Sequence, residues 1–271
     1  MGKGAPLGGA MRAGAALLLA LYLRPGEAHA GAWTLDRAAG QIIFSFTAKD
    51  ATQAFDAGGD VVGRPTHRKR EIAALVEYGA TDWLTLIFSP TIERTTIGAP
   101  TDARYLGPGY TEFGARTRLL RTEAWVGSVQ VLGRVAGASD GGNPAEAGKT
   151  EHMIDARVLL GRSVTLWDRP GFLDLQAGYR VPLADGPGEF RLEGTAGLRL
   201  RPGLLLMVQS FNALSDGGGR PGDRPRRHEV ELSAVWDFGR RWSVQIGGIA
   251  TVAGRETLKE RGLVAAVWHR F

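Results

Sequence analysis

The sequence predicts an all-β chain folded as a single twelve-stranded antiparallel up-and-down transmembrane β-barrel. Three observations predict it. Segments of about ten residues alternate apolar and polar side chains with a period of two, a length at which a tilted strand crosses a hydrocarbon layer. Their connections are alternately short and long, and the strand count is even. Bulky aromatics (Tyr78, Trp83, Trp125, Trp167, Phe172, Trp236, Phe238, Trp242 and Phe271) fall beside the short connections or at the chain end. That placement predicts an aromatic ring at one rim, where a membrane interface lies.

Residues 1–30 read as a secretory leader to be set aside before the fold is considered. Lys3 and Arg12 form its positive start, residues 13–23 its apolar stretch and Ala28-His29-Ala30 its small-residue cleavage site. The apolar stretch is about half the ~20 residues that a helical span needs. The barrel is therefore expected over residues 31–271. The net charge of +5 is a mild excess that shrinks further without the leader, so nucleic acid is not an expected partner. There is no cysteine, so an exported chain of this kind is not held by disulfides. Past the leader no apolar run reaches helical span length, and only a closed barrel would carry this chain through a membrane.

After Ala32-Trp33 and a short polar lead-in, residues 41–50 alternate, with Ile42, Phe44, Phe46 and Ala48 on one face. A polar, glycine-rich loop is expected over 51–66. Strands follow at 70–79 and 83–93, then a long loop at about 97–109. The same unit repeats at 110–120 and 125–136, at 152–160 and 172–182 around a turn at 161–171, at 190–200 and 204–211, and at 227–238 and 242–252. The closing strand ends the chain: Leu263, Ala265, Val267, His269 and Phe271 share one face, and Glu260, Gly262, Val264, Ala266, Trp268 and Arg270 the other.

A soluble sandwich alternates as well, but has no reason to collect aromatics at one end. With the apolar faces turned to lipid, the polar faces become the barrel interior. This places Glu71, Glu77, Glu112, Arg116, Arg118, Arg134, Asp155, Arg157, Asp174, Arg180, Arg191, Glu193, Arg199, Glu229 and Glu231 in the lumen, with Lys49, Glu93, Glu260 and Arg270 beside them. Charges in such a place must be paired or wetted. Strands four to eight carry an excess of bases and the remaining strands an excess of acids, an arrangement that either polarises an aqueous path or pairs across it. Twelve strands lie between a barrel filled by side chains and an open channel, so a narrow pore and a plugged interior both fit.

Other chemistry finds little support. The histidines beyond the leader are His67, His152, His228 and His269, and two residues on stand Lys69, Ile154, Val230 and Phe271. None is the serine that the outer-membrane phospholipase and the lipid A deacylases place there. Partners for His228 on a neighbouring strand stay open. Ser139-Asp140-Gly141-Gly142 and Ser215-Asp216-Gly217-Gly218 lack the alternating carboxylates of a calcium loop and read as turns. No glycine-rich run has the form of a phosphate loop, and neither metal nor cofactor is expected.

Two basic clusters remain, Arg64 to Arg70 with Arg68, Lys69 and Arg70 at its end, and Arg220, Arg224, Arg226 and Arg227. Both lie on the long-loop side, where either solvent or the phosphates of lipopolysaccharide would surround them.

The closing strand with its terminal Phe271 resembles that of Gram-negative outer-membrane β-barrels, with His269 where an aromatic is common. Ala32-Trp33, Gly40-Gln41 and the hairpin from Glu77-Tyr78-Gly79 to Trp83 resemble uncharacterised proteobacterial transporter-like, porin-like barrels. The resemblance implies short periplasmic turns, longer extracellular loops, residence in the outer membrane and assembly through Phe271 by the barrel-assembly machinery. The expected function is passive passage of small polar or charged solutes. The alternatives are a closed barrel whose loops bind lipopolysaccharide or a partner, and a lipid-modifying barrel enzyme.

Overall fold

A computed structural model of the chain describes residues 31–138, 142–146, 150–217 and 224–271. The leader, Arg220, Ser139-Asp140-Gly141 and Gly218 lie outside these. Among the described residues the strands are β1 (Gly40–Phe55), β2 (Val61–Thr81), β3 (Leu84–Ser89 and Thr91–Ile97), β4 (Ala103–Pro108 and Thr111–Arg121), β5 (Trp125–Val135), β6 (Met153–Leu166), β7 (Arg169–Pro182), β8 (Glu189–Arg201), β9 (Leu204–Ser215), β10 (Arg226–Phe238), β11 (Trp242–Arg255) and β12 (Thr257–Leu258 and Arg261–Arg270). Each pairs antiparallel with its neighbours in sequence, and β1 pairs with both β2 and β12. The sheet is thus closed into a twelve-stranded barrel. At the seam the Phe271 N–H donates to the Gly40 carbonyl and the Gly40 N–H to the Phe271 carbonyl, both at 2.9 Å, so the terminal residue is part of the closure.

β3 is one strand in spite of its two segments. Pro90 has no N–H for the ladder, yet the pairing to β2 keeps one register across it, from Val76↔Phe88 to Ala73↔Thr91. The Pro90 carbonyl still accepts from the Ala74 N–H. β4 is interrupted at Gly109-Tyr110.

The loop-side strands are longer than the alternation predicts. Most of the loop expected at 51–66 is strand, and the connection shrinks to residues 56–60. There Asp56 Oδ1 accepts from the N–H groups of Gly58 and Asp60. Likewise 103–108 is strand, and the turn expected at 161–171 is only Trp167-Asp168, both at positive φ, as a two-residue hairpin requires. The apolar pattern fades where both faces of a strand meet water, so alternation marks the membrane-crossing part and not the whole ladder.

The side facing out is apolar. Phe44, Ile72, Phe88, Ile92, Val131, Val158, Leu175, Leu232 and Ile246 are all exposed on it. Eight of the nine expected rim aromatics are exposed. Phe172 is the exception: it turns inward, against a buried cluster of Leu205, Met207, Val235, Ala266 and Trp268. Being next to a turn sets the height of a residue, whereas its parity in the strand sets the side.

Candidate functional site

All fifteen charged residues expected in the lumen project to the inner side of the wall, and most are paired there. Asp155, fully buried, binds two arginines, Arg157 at 2.6 Å and Arg180 at 2.9 Å. Arg157 also reaches Glu193 at 2.8 Å, and Arg191 joins Glu193 at 2.6 Å to Glu189 at 3.0 Å. Arg134 pairs with Glu112 and lies over the Tyr110 ring. Arg116 binds Glu77 at 2.9 Å and Gln130 at 3.1 Å. On the opposite wall Lys49 binds Glu229 at 2.6 Å, and Glu231 accepts from Gln245 at 3.1 Å. Near the short-turn rim Arg199 binds Asp237 at 2.7 Å. The bases of β4 to β8 are therefore matched mainly by acids on the same wall. Alternating residues two apart on one strand, or opposite on the next, bring these groups within reach without crossing the lumen.

The two basic clusters divide by parity. Arg68, Arg70 and Arg226 lie on the outer side, and Arg224 is exposed just before β10. Lys69 instead points inward, between Glu71 at 2.9 Å and Glu93 at 3.1 Å, and Arg227 reaches Glu229 at 3.5 Å. These two are lumen groups, not outer-surface ones. Adjacent strand residues face opposite sides, so a run of consecutive bases cannot act as one patch.

The largest addition to the sequence reading is the polar lead-in, residues 31–39: residues 31–35 lie inside the barrel, and Asp36, Arg37 and Ala38 are exposed beside the β2–β3 turn. Ala32 is fully buried; its N–H donates to Asp174 Oδ2 at 2.7 Å, and its carbonyl accepts from Ser128 Oγ at 2.5 Å. The Trp33 carbonyl accepts from Arg116 at 3.0 Å and Thr34 Oγ1 from Arg118 at 3.1 Å. The Leu35 N–H donates to Thr85 Oγ1 at 2.9 Å. The segment thus runs from the β2–β3 side, where the Ala38 N–H meets the Gly79 carbonyl, to β7 on the far wall. Two glycines make room for it. A side chain at Gly79 would strike the Asp36 carbonyl, and one at Gly161 would strike the Trp33 ring.

Trp33 stacks edge-on against Phe172, with ring centroids 6.0 Å apart. Beside them a cavity of about 290 Å³ opens between Trp33, Val164, Phe172, Leu205 and Arg199 near the short-turn end. The sequence reading missed this apolar portion of the lumen, together with Glu189, Asp237 and the polar groups Thr85, Ser128 and Gln130. Its signal was available in the inward parity of Leu205, Met207 and Trp268.

His228 faces outward and its Nδ1 contacts Asn212 Oδ1; the Asn212 amide also donates to Ser210 Oγ at 3.1 Å and to the Leu192 carbonyl at 2.8 Å. Asn212 stands between the histidine and the serine, whereas a nucleophile needs direct contact with its base. Asp216 serves the loops: it accepts from the Tyr179 hydroxyl at 2.5 Å and the Gly188 N–H at 3.0 Å.

No family model and no curated protein matches this chain by sequence. The fold matches many solved structures. A COG4313 outer membrane channel from Pseudomonas putida F1 superposes with a TM-score of 0.69 at 15% identity, covering 91% of this chain and 99% of that one. The NanC porin gives 0.53 at 8% identity over 84% and 98%. The β domain of the Bordetella autotransporter BrkA gives 0.50 at 12% identity over 86% and 100%. The fold of this chain is that of the outer-membrane β-barrels.

Proposed function

We propose that this protein is an outer-membrane channel for small polar or charged solutes, restrained by its own N-terminal segment. Export by the leader and assembly through the Phe271 strand belong to the same reading, as does a non-catalytic role. The observation that carries it is residues 31–35 bound across a lumen lined by charged side chains. An inert wall needs no inward, mutually paired Arg and Glu on most of its strands, and apolar side chains would fill it more simply. Translocation needs a lined path and a way to open it. The lead-in supplies the second, because residues 32–35 are held only by side chains and by the Asp82 carbonyl of the β2–β3 turn, and the segment joins the strand backbone only at Ala38 and Ala39, beside Gly79.

The test is conductance in planar bilayers. The full chain is expected to give small or intermittent currents, and a chain lacking residues 31–37 steady currents several times larger. No current from either form would leave a closed barrel, as in the binding alternative.

The cavity by Trp33 favours a second reading, in which the solute has an apolar body as well as a charge. Trp33, Phe172 and Leu205 would take the former and Arg199 the latter. Quenching of tryptophan emission by aromatic or aliphatic acids, absent for sugars of equal size, distinguishes it.

A further inference from the structure

Outside the lumen, on the loop-side wall of five neighbouring strands, arginines gather with little to neutralise them. The register sets them side by side. Arg261 on β12 stands opposite Asp50 on β1, and Asp50 opposite Arg68 on β2. Arg70 stands directly opposite Arg94 on β3, and Thr96 lies between Arg68 and Arg104 on β4. All share parity with Ile72, Ile92, Leu106 and Leu263, which are exposed on the outer face. One acid stands among the five bases. Asp50 takes Arg70 at 3.2 Å and Arg68 at 3.7 Å; the next acid, Asp102, lies in the turn beyond Arg104. Among the described residues, the side chains of Arg94, Arg104 and Arg261 have no hydrogen bond or ion pair.

Like charges directly opposite on paired strands destabilise a sheet. Arg70 against Arg94 is such a pair; Asp50 neutralises Arg70 but leaves Arg94 without a counter-ion, which an anion from outside the chain would supply. The residues one outward step toward the short-turn side identify that anion. Ile72 stands opposite Ile92 immediately beside the arginine pair, with Leu106 next to Arg94. The wall therefore changes from apolar to cationic over about 7 Å, two residues of strand rise. A soluble anion has no use for the isoleucines. An acyl chain lies against them naturally, with its phosphate at the height of the guanidinium groups, which bind phosphate through two parallel hydrogen bonds.

We propose that Arg68, Arg70, Arg94, Arg104 and Arg261 form a binding site for the phosphorylated headgroup of a lipid in the loop-side leaflet, lipid A being a ligand of that chemistry. Asp50 orients Arg70 and Arg68 toward it. The site is separate from the lumen and does not depend on what passes through it.

The test uses the full chain in detergent, with retention of lipid A and of dephosphorylated lipid A measured by native mass spectrometry. Arg94→Ser with Arg104→Ser removes two exposed, partnerless side chains, and heat-modifiable gel mobility verifies that the barrel is intact. Losing their charge-assisted bonds should weaken lipid A binding by about tenfold or more. Arg240→Ser with Arg241→Ser, exposed in the short turn at the other end of the barrel, should leave it unchanged, and the dephosphorylated lipid should bind the native chain as weakly as lipid A binds the first variant. Equal binding of the two lipids, or no loss in the first variant, would overturn the proposal. So would competition by inorganic phosphate at concentrations comparable to lipid A, which would mark a plain anion site.

Discussion

The backbone N–H of Ala32 donates to Asp174 Oδ2 at 2.7 Å, tying together residues 142 positions apart. Asp174 is buried on β7 and also accepts from Gln176 at 2.8 Å. It forms no ion pair among the described residues, unlike Asp155 on the neighbouring strand. The contact is the far anchor of the segment that crosses the lumen. Asp174→Ala leaves the Ala32 N–H without its acceptor, a cost of about 1–3 kcal/mol charged to the seated segment and not to the barrel. The expected result is a higher open probability in bilayers with unchanged thermal unfolding; a fall in barrel stability instead would mean that Asp174 supports the wall.

Gly161 offers an independent route to the same element. Its inner side touches the Trp33 ring, so Gly161→Leu should expel the segment while leaving the outward face of β6 untouched. Larger currents and a red shift of the Trp33 contribution to emission, absent in Trp33→Phe, are the readouts.

Arg116, Arg134 and Arg157 each bind an acid, Glu77, Glu112 and Asp155 respectively. Changing all three to Gln removes three positive charges from the lumen and leaves Glu77 and Glu112 without an arginine, while Asp155 keeps Arg180. In a chain lacking residues 31–37 the reversal potential under a salt gradient should then shift toward cation selectivity. The change will also cost stability, since removing one member of a buried pair leaves the other uncompensated. An unchanged reversal potential would place the conducting path away from these residues.

On the outer wall, Arg in place of Leu192 or Ile246 should destabilise by ~2–4 kcal/mol if these residues sit near the bilayer midplane. Arg at Thr195, which faces inward, should be better tolerated. Gln245 also faces inward by parity but is not a suitable control. It bonds Glu231, Ser233 and the Trp268 indole N–H, so substitution there breaks a buried network. Equal losses at Leu192 and Thr195 would reverse the in/out assignment.

Deleting Phe271 removes both hydrogen bonds that close the seam at Gly40. Assembly into a heat-modifiable form should fall sharply, and normal yield of that truncation would show that the seam closes without it.

What the sequence by itself determined is the wall. A strand with lipid on one side and a polar interior on the other must alternate, so period, strand count and the side of Arg116 or Leu192 follow from local order alone. The alternation stops carrying information where both faces are wet, which is why β1 and β2 run further toward the loops than it predicts. Parity likewise reassigns Lys69 to the lumen, a consequence available in the sequence once adjacent bases are read as facing opposite ways. Tertiary structure alone decided what fills the barrel. Residues 31–35 have no periodicity to betray them, and their partners Thr85, Ser128 and Asp174 come from β3, β5 and β7. Closure of the ring brings those strands around one axis, and the hydrogen-bonding needs of a buried, non-ladder backbone then select the side chains that meet it.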